Sequence, residues 1–123
     1  MSKKILAVDD ELDVVLIVKT ALQSEGFEVD TANNGPDALM LAKEKHYDLI
    51  LLDVMMPGMT GFEVLRALKQ HDATATIPVI MLTGVSERSK IVEAIKSGTN
   101  YYIIKPFDFD DLLAKVNDAL SGG

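Results

Sequence analysis

Four short apolar segments of the sequence each end at a residue whose side chain could take part in chemistry. Acidic residues follow the first two segments, a hydroxyl follows the third and a basic residue follows the fourth: Asp9 and Asp10, then Asp53, Thr83 and Lys105. Ligands of open parallel sheets bind beyond the carboxyl ends of the strands. If the apolar segments are such strands, these polar side chains converge on one pocket.

Clustered carboxylates raise one another's pKa or require a cation. Hard oxygen ligands with open positions suit a small divalent ion such as Mg²⁺, which keeps waters that a phosphate can replace. In such a pocket the Asp53 carboxylate could attack phosphorus, the metal and Lys105 could neutralise the equatorial oxygens, and Thr83 could donate a hydrogen bond. The residue types therefore favour phosphoryl transfer to a carboxylate.

The segments that must position these residues alternate between strand and helix patterns. Continuous apolar runs predict buried parallel strands, and one alternating run predicts an edge strand; the runs are residues 5–8, 49–52, 79–82 and 101–104, and the alternating run is 28–32. The intervals between these runs show helical spacing of apolar residues, which predicts five helices. The first ends at Gly26, the second follows Gly35 and Pro36, and the third begins at the Thr60–Glu63 capping box. The fourth carries Ile91, Val92 and Ile95, and the fifth begins at Asp108.

This alternation predicts one α/β domain over residues 1–123, a doubly wound, flavodoxin-like (βα)5 sandwich. Right-handed crossovers, with the second strand at an edge, predict a five-stranded parallel sheet in the order 2-1-3-4-5. The pocket is then expected at the switch point between the first and third strands.

Composition narrows the class of protein further. The 123 residues include 12 basic and 19 acidic side chains, a net charge of −7, and no cysteine. Thiolate metal sites and disulfides are excluded, and direct binding to nucleic acid by this domain is not expected because no excess of positive charge is available. No apolar run approaches the roughly 20 residues of a membrane span, and no signal peptide is recognisable. We therefore expect a cytoplasmic protein.

In this order, the segments 5–11, 48–61, 78–83 and 105–107 resemble the receiver domain of bacterial two-component response regulators, and chemotaxis regulators in particular. The resemblance implies a signalling switch rather than an enzyme acting on other substrates. Its partners would be a sensor histidine kinase or phosphotransfer protein, which supplies a phosphohistidine, and a downstream effector or a second copy in a phosphorylation-dependent dimer.

The resemblance also implies a role for each site residue. Asp53 would accept the phosphoryl group; Asp10, Asp53 and the carbonyl of Met55 would bind Mg²⁺, and Asp9 would bind it through water. Lys105, placed by a cis bond to Pro106, would contact the phosphoryl group. Thr83 and Tyr102 would move as the switch, changing the face made by the fourth helix, fifth strand and fifth helix.

Some positions depart from the usual receiver pattern. Gly84 follows Thr83 where alanine is common, and Tyr101 adds an aromatic residue beside Tyr102 whose role the sequence leaves open. Met55 and Val85 occupy two positions that flank the path of the hydrolytic water in receivers. Because neither side chain can orient water, slow self-dephosphorylation is expected.

Alternative readings of the same residues stay open at this stage. The acidic triplet of Asp9, Asp10 and Glu11 could simply cap the first helix. Lys105 could be an ordinary surface lysine, and Tyr102 could serve packing alone. A scaffold without phosphoryl chemistry, or an enzyme on the same fold, is also to be weighed.

The first helix carries more apolar residues than one buried stripe needs, so Leu16 and Val15 are expected to point outward. They would be either scattered surface residues or a docking patch for the kinase.

Overall fold

The sheet has the predicted five parallel strands in the predicted order. The computed structural model describes residues 2–84, 92, 95–96, 99 and 101–122. Its strands are listed here in chain order: β1 Lys4–Val8, β2 Glu28–Ala32, β3 Leu49–Asp53, β4 Val79–Gly84 and β5 Tyr101–Lys105. They are hydrogen-bonded in the order β2-β1-β3-β4-β5. The doubly wound, flavodoxin-like fold is therefore confirmed.

Five helices lie within the described ranges of the chain. They are α1 Leu12–Ser24, α2 Gly35–Glu44, α3 Gly61–Lys69, α4 Asp72–Ala75 and α5 Phe109–Leu120. The single turn α4 was not predicted, because four residues are too few for a helical pattern to be recognised. Between β4 and β5 only Val92, Ile95, Lys96 and Thr99 are described, the first three as helical, so most of the predicted fourth helix lies outside the described residues.

The continuous apolar runs are explained by two core layers, one on each face of the sheet. Successive strand residues point to opposite faces. Leu6, Val8, Ile50 and Leu52 pack with α2 and α3 on one face. Ile5, Ala7, Leu49 and Leu51 pack with α1 and α5 on the other face. With both faces buried, the sheet leaves only the strand ends free to carry polar chemistry.

Local sequence signals set most helix ends. At α3 the Thr60 hydroxyl accepts the Glu63 N–H and the Glu63 carboxylate accepts the Thr60 N–H, the predicted capping box. Gly26, with φ of 93°, ends α1 as expected. One predicted boundary was wrong, since Gly35 lies inside α2 and not before it. The helix begins there because Asn34 is its N-cap residue, whose side-chain oxygen accepts a hydrogen bond from the Asp37 N–H at 2.8 Å.

The outward face of α1 agrees only partly with expectation. Leu16 is 63% exposed, as predicted, and Leu12 and Ile17 are exposed to a similar extent. The outward placement of Val15 was wrong, since Val15 is buried. Val15 and Val18 lie three residues apart, on the helix stripe that faces the protein interior, whereas Leu16 and Ile17 lie beyond its edge.

Candidate functional site

The strand register brings the predicted site residues to one edge of the sheet. Asp9 follows β1 directly, Asp53 is the last residue of β3, and Lys105 is the last residue of β5. Thr83 is the last residue but one of β4, which lies between β3 and β5. The register pairs Asp53 with Leu82 and Gly84 with Lys105, so these ends are level.

Three carboxylates form the floor of the site. Asp9, Asp10 and Asp53 each place an oxygen within 4.8 Å of the others. Asp53 is only 4% exposed and Asp9 is also buried, whereas Asp10 faces solvent. Such a set of hard oxygen donors, open on one side, fits a small divalent cation that retains several waters.

Asp9 is already engaged through both of its oxygens. Its Oδ1 accepts the backbone N–H of Glu11 at 2.9 Å, and its Oδ2 accepts a hydrogen bond from Lys105 Nζ at 2.6 Å. These two hydrogen bonds orient the Asp9 carboxylate and engage both of its oxygens. A metal ion would therefore find freer donors at Asp10 and Asp53 than at Asp9.

Lys105 reaches across the end of β4 to the acidic cluster. Its ammonium lies 2.6 Å from Asp9 Oδ2, 3.2 Å from Asp53 Oδ1 and 3.6 Å from Glu11 Oε1. Burial acts to lower the pKa of Lys105, but the hydrogen bond that Lys105 donates to Asp9 and the charges of Asp53 and Asp9 outweigh burial and raise the pKa. Lys105 is therefore a permanent cation of the site, and the reading as an ordinary surface lysine does not fit these contacts.

Among the described residues, Asp53 is the carboxyl group whose pKa is most strongly raised. Burial and the charge of Asp9 raise its pKa to about 7, although Lys105 acts in the opposite direction. A divalent cation beside Asp53 would favour the charged carboxylate and so lower this pKa. Three carboxyl groups thus share a site with one lysine, an arrangement in which a divalent cation would balance the remaining negative charge.

Most of the remaining predicted site residues lie within the described part of the chain. Thr83 is buried, and its hydroxyl donates to the Gly84 carbonyl at 3.4 Å. The bond between Lys105 and Pro106 is cis. Met55, two residues after Asp53, is 48% exposed, and Val85 lies outside the described residues.

Tyr101 and Tyr102 lie on opposite faces of β5. Tyr102 is half-buried against the core layer of α2 and α3, with Lys115 Nζ 6.0 Å from its ring centroid. Tyr101 packs against the layer of α1 and α5. The additional aromatic residue therefore serves the packing of the opposite face.

Sequence reasoning noted two further residues but gave them no role in the site. Glu11 is the N-cap residue of α1 but makes no side-chain cap hydrogen bond, and its carboxylate approaches Lys105 instead. Gly61 begins α3 directly against the backbone of Asp53 and Val54. The only available signal for Glu11 was its place beside two aspartates, and for Gly61 a glycine in the first turn of a helix.

Comparison with known proteins identifies the class of protein that has this fold. The family model of the response regulator receiver domain matches residues 5–117. The chain therefore belongs to the response regulator receiver domain family, whose members act in phosphorylation-based two-component signalling.

Two curated relatives of similar sequence are transcriptional regulatory proteins. The phosphate regulon transcriptional regulatory protein PhoB of Rhizobium meliloti is 39% identical over 120 residues, which are 98% of this chain and 53% of PhoB. The transcriptional regulatory protein ResD of Bacillus subtilis is 41% identical over 95% of this chain and 48% of ResD. The chain thus spans about half the length of these curated relatives.

Solved structures show the same architecture. The chemotaxis protein CheY4 of Vibrio cholerae superposes with a TM-score of 0.92 at 35% identity, covering 97% of this chain and 99% of that chain. Among the described residues, no helix is long and apolar enough to cross a membrane.

Proposed function

We propose that Asp53 accepts a phosphoryl group from the phosphohistidine of a sensor histidine kinase or phosphotransfer protein. The observation that carries the proposal is the buried Asp53 carboxylate, which shares one cluster with Asp9 and Asp10 and lies 3.2 Å from the Lys105 ammonium. An Asp53 oxygen attacks phosphorus, the phosphorus–nitrogen bond breaks, and the histidine nitrogen leaves with the bonding electron pair. The products are an acyl phosphate on Asp53 and a free imidazole.

The protein's own groups stabilise this transfer. Lys105, already paired with Asp53, is placed to neutralise charge on the transferred phosphoryl group. Thr83 brings a buried hydroxyl to the end of the neighbouring strand and serves as a hydrogen-bond donor to that group. The chain thus acts on its own Asp53 and is a signalling switch rather than an enzyme with a separate substrate.

Magnesium is the cofactor that fits the carboxylate cluster. Asp10, Asp53 and the backbone carbonyl of Met55 would hold the ion directly, while Asp9, whose two oxygens are engaged, would act through water. When bound, Mg²⁺ supplies further neutralisation of the phosphoryl oxygens.

Incubation with acetyl phosphate and Mg²⁺, followed by intact mass measurement, tests the proposed function. We expect an adduct of about 80 Da that is labile at alkaline pH and absent when EDTA replaces Mg²⁺. A protein that takes up no phosphoryl group under these conditions would contradict the proposal.

The output surface is proposed to involve β5 and α5. Phosphorylation would draw Thr83 toward Asp53 and reposition Tyr102, whose ring lies near Lys115 of α5. The surface formed by β5, α5 and the predicted fourth helix would change, and this change would alter binding to a downstream effector or to a second copy of the chain. The relatives PhoB and ResD are named as transcriptional regulators, so an output in transcription is one form this switching could take.

The phosphodonor is proposed to dock on α1. A groove of about 450 Å³ lies beside the site and is lined by Glu11, Val14, Ile17, Val18, Lys105, Pro106 and Phe107. Exposed Leu16 and Ile17 extend its apolar surface onto the outer face of α1. Because Lys105 forms part of both groove and site, a kinase helix packed there would bring its phosphohistidine close to Asp53.

The cytoplasm is the proposed location of this phosphoryl transfer. The absence of cysteine from the sequence suits that reducing compartment.

Changing either exposed residue of this surface should impair transfer from the kinase. We expect Leu16→Lys and Ile17→Lys each to slow phosphoryl transfer about tenfold, since a charge replaces apolar contact area. The rate with acetyl phosphate, which needs no docking, should not change. Met40→Lys is the matched control, because Met40 is also exposed but lies on α2. Equal loss with both donors would contradict the docking role.

Met55 is expected to prolong the phosphorylated state. Its half-exposed side chain cannot hold a water molecule for attack on phosphorus. Met55→Glu should accelerate loss of the phosphoryl group several-fold by orienting that water, whereas Met55→Leu should not. The measurement is the decay of the mass adduct after removal of acetyl phosphate, and identical decay in the two variants would refute the prediction.

A further inference from the structure

Gly61 lies unusually close to the peptide that follows Asp53. A Cβ atom built on Gly61 would overlap the Asp53 carbonyl oxygen and would lie 2.9 Å from both the Asp53 carbonyl carbon and the Val54 Cα. These neighbours are backbone atoms of a buried strand end, which cannot rotate away as a flexible side chain can. Any side chain at position 61 must therefore move either α3 or the acceptor strand.

The need for glycine here comes from space and not from backbone conformation. The glycines with positive φ are Gly26, Gly58 and Gly122 among the residues described, and Gly61 is not one of them. At the first position of a helix, alanine would have the better intrinsic propensity. The close approach is thus the feature that only glycine permits.

Hydrogen bonds hold the same segment from two sides. The Val54 N–H donates to the Leu82 carbonyl of β4 at 2.9 Å, and the Gly61 N–H donates to the Val54 carbonyl at 2.8 Å. Both backbone polar groups of Val54 are therefore engaged, and its side chain is buried. Val54 separates Asp53 from Met55, so fixing it constrains the carboxylate and the carbonyl on either side.

We infer that Gly61 is a positioning residue for Asp53: its missing side chain lets the capped start of α3 clamp the 53–55 segment against β4. The inference rests on the proposed function and extends it, since it assigns α3 the task of holding the acceptor carboxylate and the Met55 carbonyl in register. Gly61 itself touches no reacting atom. It acts through the backbone of Asp53 and Val54.

Gly61→Ala tests the inference, with Thr60→Ala and Gly35→Ala as controls. Gly61→Ala should weaken Mg²⁺ binding, measured by calorimetry, and slow phosphorylation by acetyl phosphate, each by about tenfold or more. Thr60→Ala removes the capping box and destabilises the same helix without pushing on Asp53, so it should leave both quantities within about twofold. Gly35→Ala is also crowded, but against the flexible Met59 side chain and not against backbone, and should likewise have little effect.

The outcomes separate this inference from the proposed function. If the unchanged protein takes up no phosphoryl group, the proposed function fails. The positioning role is overturned if the unchanged protein is phosphorylated and Gly61→Ala has the same Mg²⁺ affinity and phosphorylation rate. It is also overturned if Thr60→Ala loses as much Mg²⁺ affinity and phosphorylation rate as Gly61→Ala.

A second measurement decides the matter even if Gly61→Ala does not fold. In the unchanged protein, the Gly61 and Val54 amide protons should exchange with solvent as slowly as those of β3 and β4. Rapid exchange of the Gly61 amide would show that α3 does not hold the segment and would overturn the inference.

Discussion

Asp53→Asn is expected to abolish the phosphoryl adduct completely, because the amide cannot act as the attacking oxygen nucleophile. The same substitution should stabilise the metal-free protein at pH 8, on the order of 1–3 kcal/mol. Burial and the charge of Asp9 disfavour the charged Asp53 carboxylate, and asparagine removes that charge while keeping the shape. Intact mass spectrometry and urea unfolding measure the two effects.

The pH dependence provides the control for this stability effect. The pKa of Asp53 is raised to about 7 from its ordinary value of 3.8, so between these two pH values the folded state binds more of this proton than the unfolded state does. The stabilisation supplied by the protonated group is therefore lost as the pH rises toward 7 and beyond. The advantage of Asp53→Asn should be largest at pH 8 and shrink by pH 5. A stability difference that does not change with pH, or an adduct on the variant, would contradict the assignment of Asp53.

Lys105→Met is expected to produce opposite changes in metal binding and in phosphorylation. Removal of the ammonium leaves the buried carboxylates of Asp9 and Asp53 without their cation, which should lower the free energy of unfolding at pH 8 by about 3 kcal/mol. The more negative site should bind Mg²⁺ several-fold more tightly. The rate of phosphorylation by acetyl phosphate at saturating Mg²⁺ should nevertheless fall about 100-fold, because the cation facing the phosphoryl oxygens is gone.

Lys105→Arg serves as the control that keeps the positive charge. It should recover much of the lost stability, but the planar guanidinium cannot reproduce the three contacts of the compact ammonium, so the phosphorylation rate should remain low. Calorimetry, urea unfolding and the kinetics of adduct formation distinguish these effects. If Lys105→Met weakens Mg²⁺ binding and phosphorylation together, Lys105 acts by maintaining the structure of the site and not by opposing the phosphoryl charge.

The order of elements and the location of the site were accessible from the sequence because both depend on local patterns. Apolar runs with polar ends marked β1, β3 and β4, which are buried on both faces, and also β5, which proves to be an edge strand that is only partly buried. The alternating run marked β2, the strand at the opposite edge. Capping signals at Thr60 and Asp108 marked the starts of α3 and α5. Parallel strand ends meet at one edge of a sheet, so Asp9, Asp53 and Lys105 could be assigned to one pocket before any distance was available.

The structure was needed for features that depend on contacts between distant segments. No pattern indicates that Lys105 bridges Asp9 and Asp53 across β4, since these residues are 96 and 52 positions away from it in the chain. The same holds for the inward turn of Val15 and for the close approach of Gly61 to Asp53. Periodicity and spacing report which face of an element is apolar, whereas distances and the altered pKa of Asp53 arise only when separate elements pack and exclude water. The sequence by itself thus determined the kind of protein and predicted its site residues, and the tertiary structure decided how those residues share charge and what holds them in place.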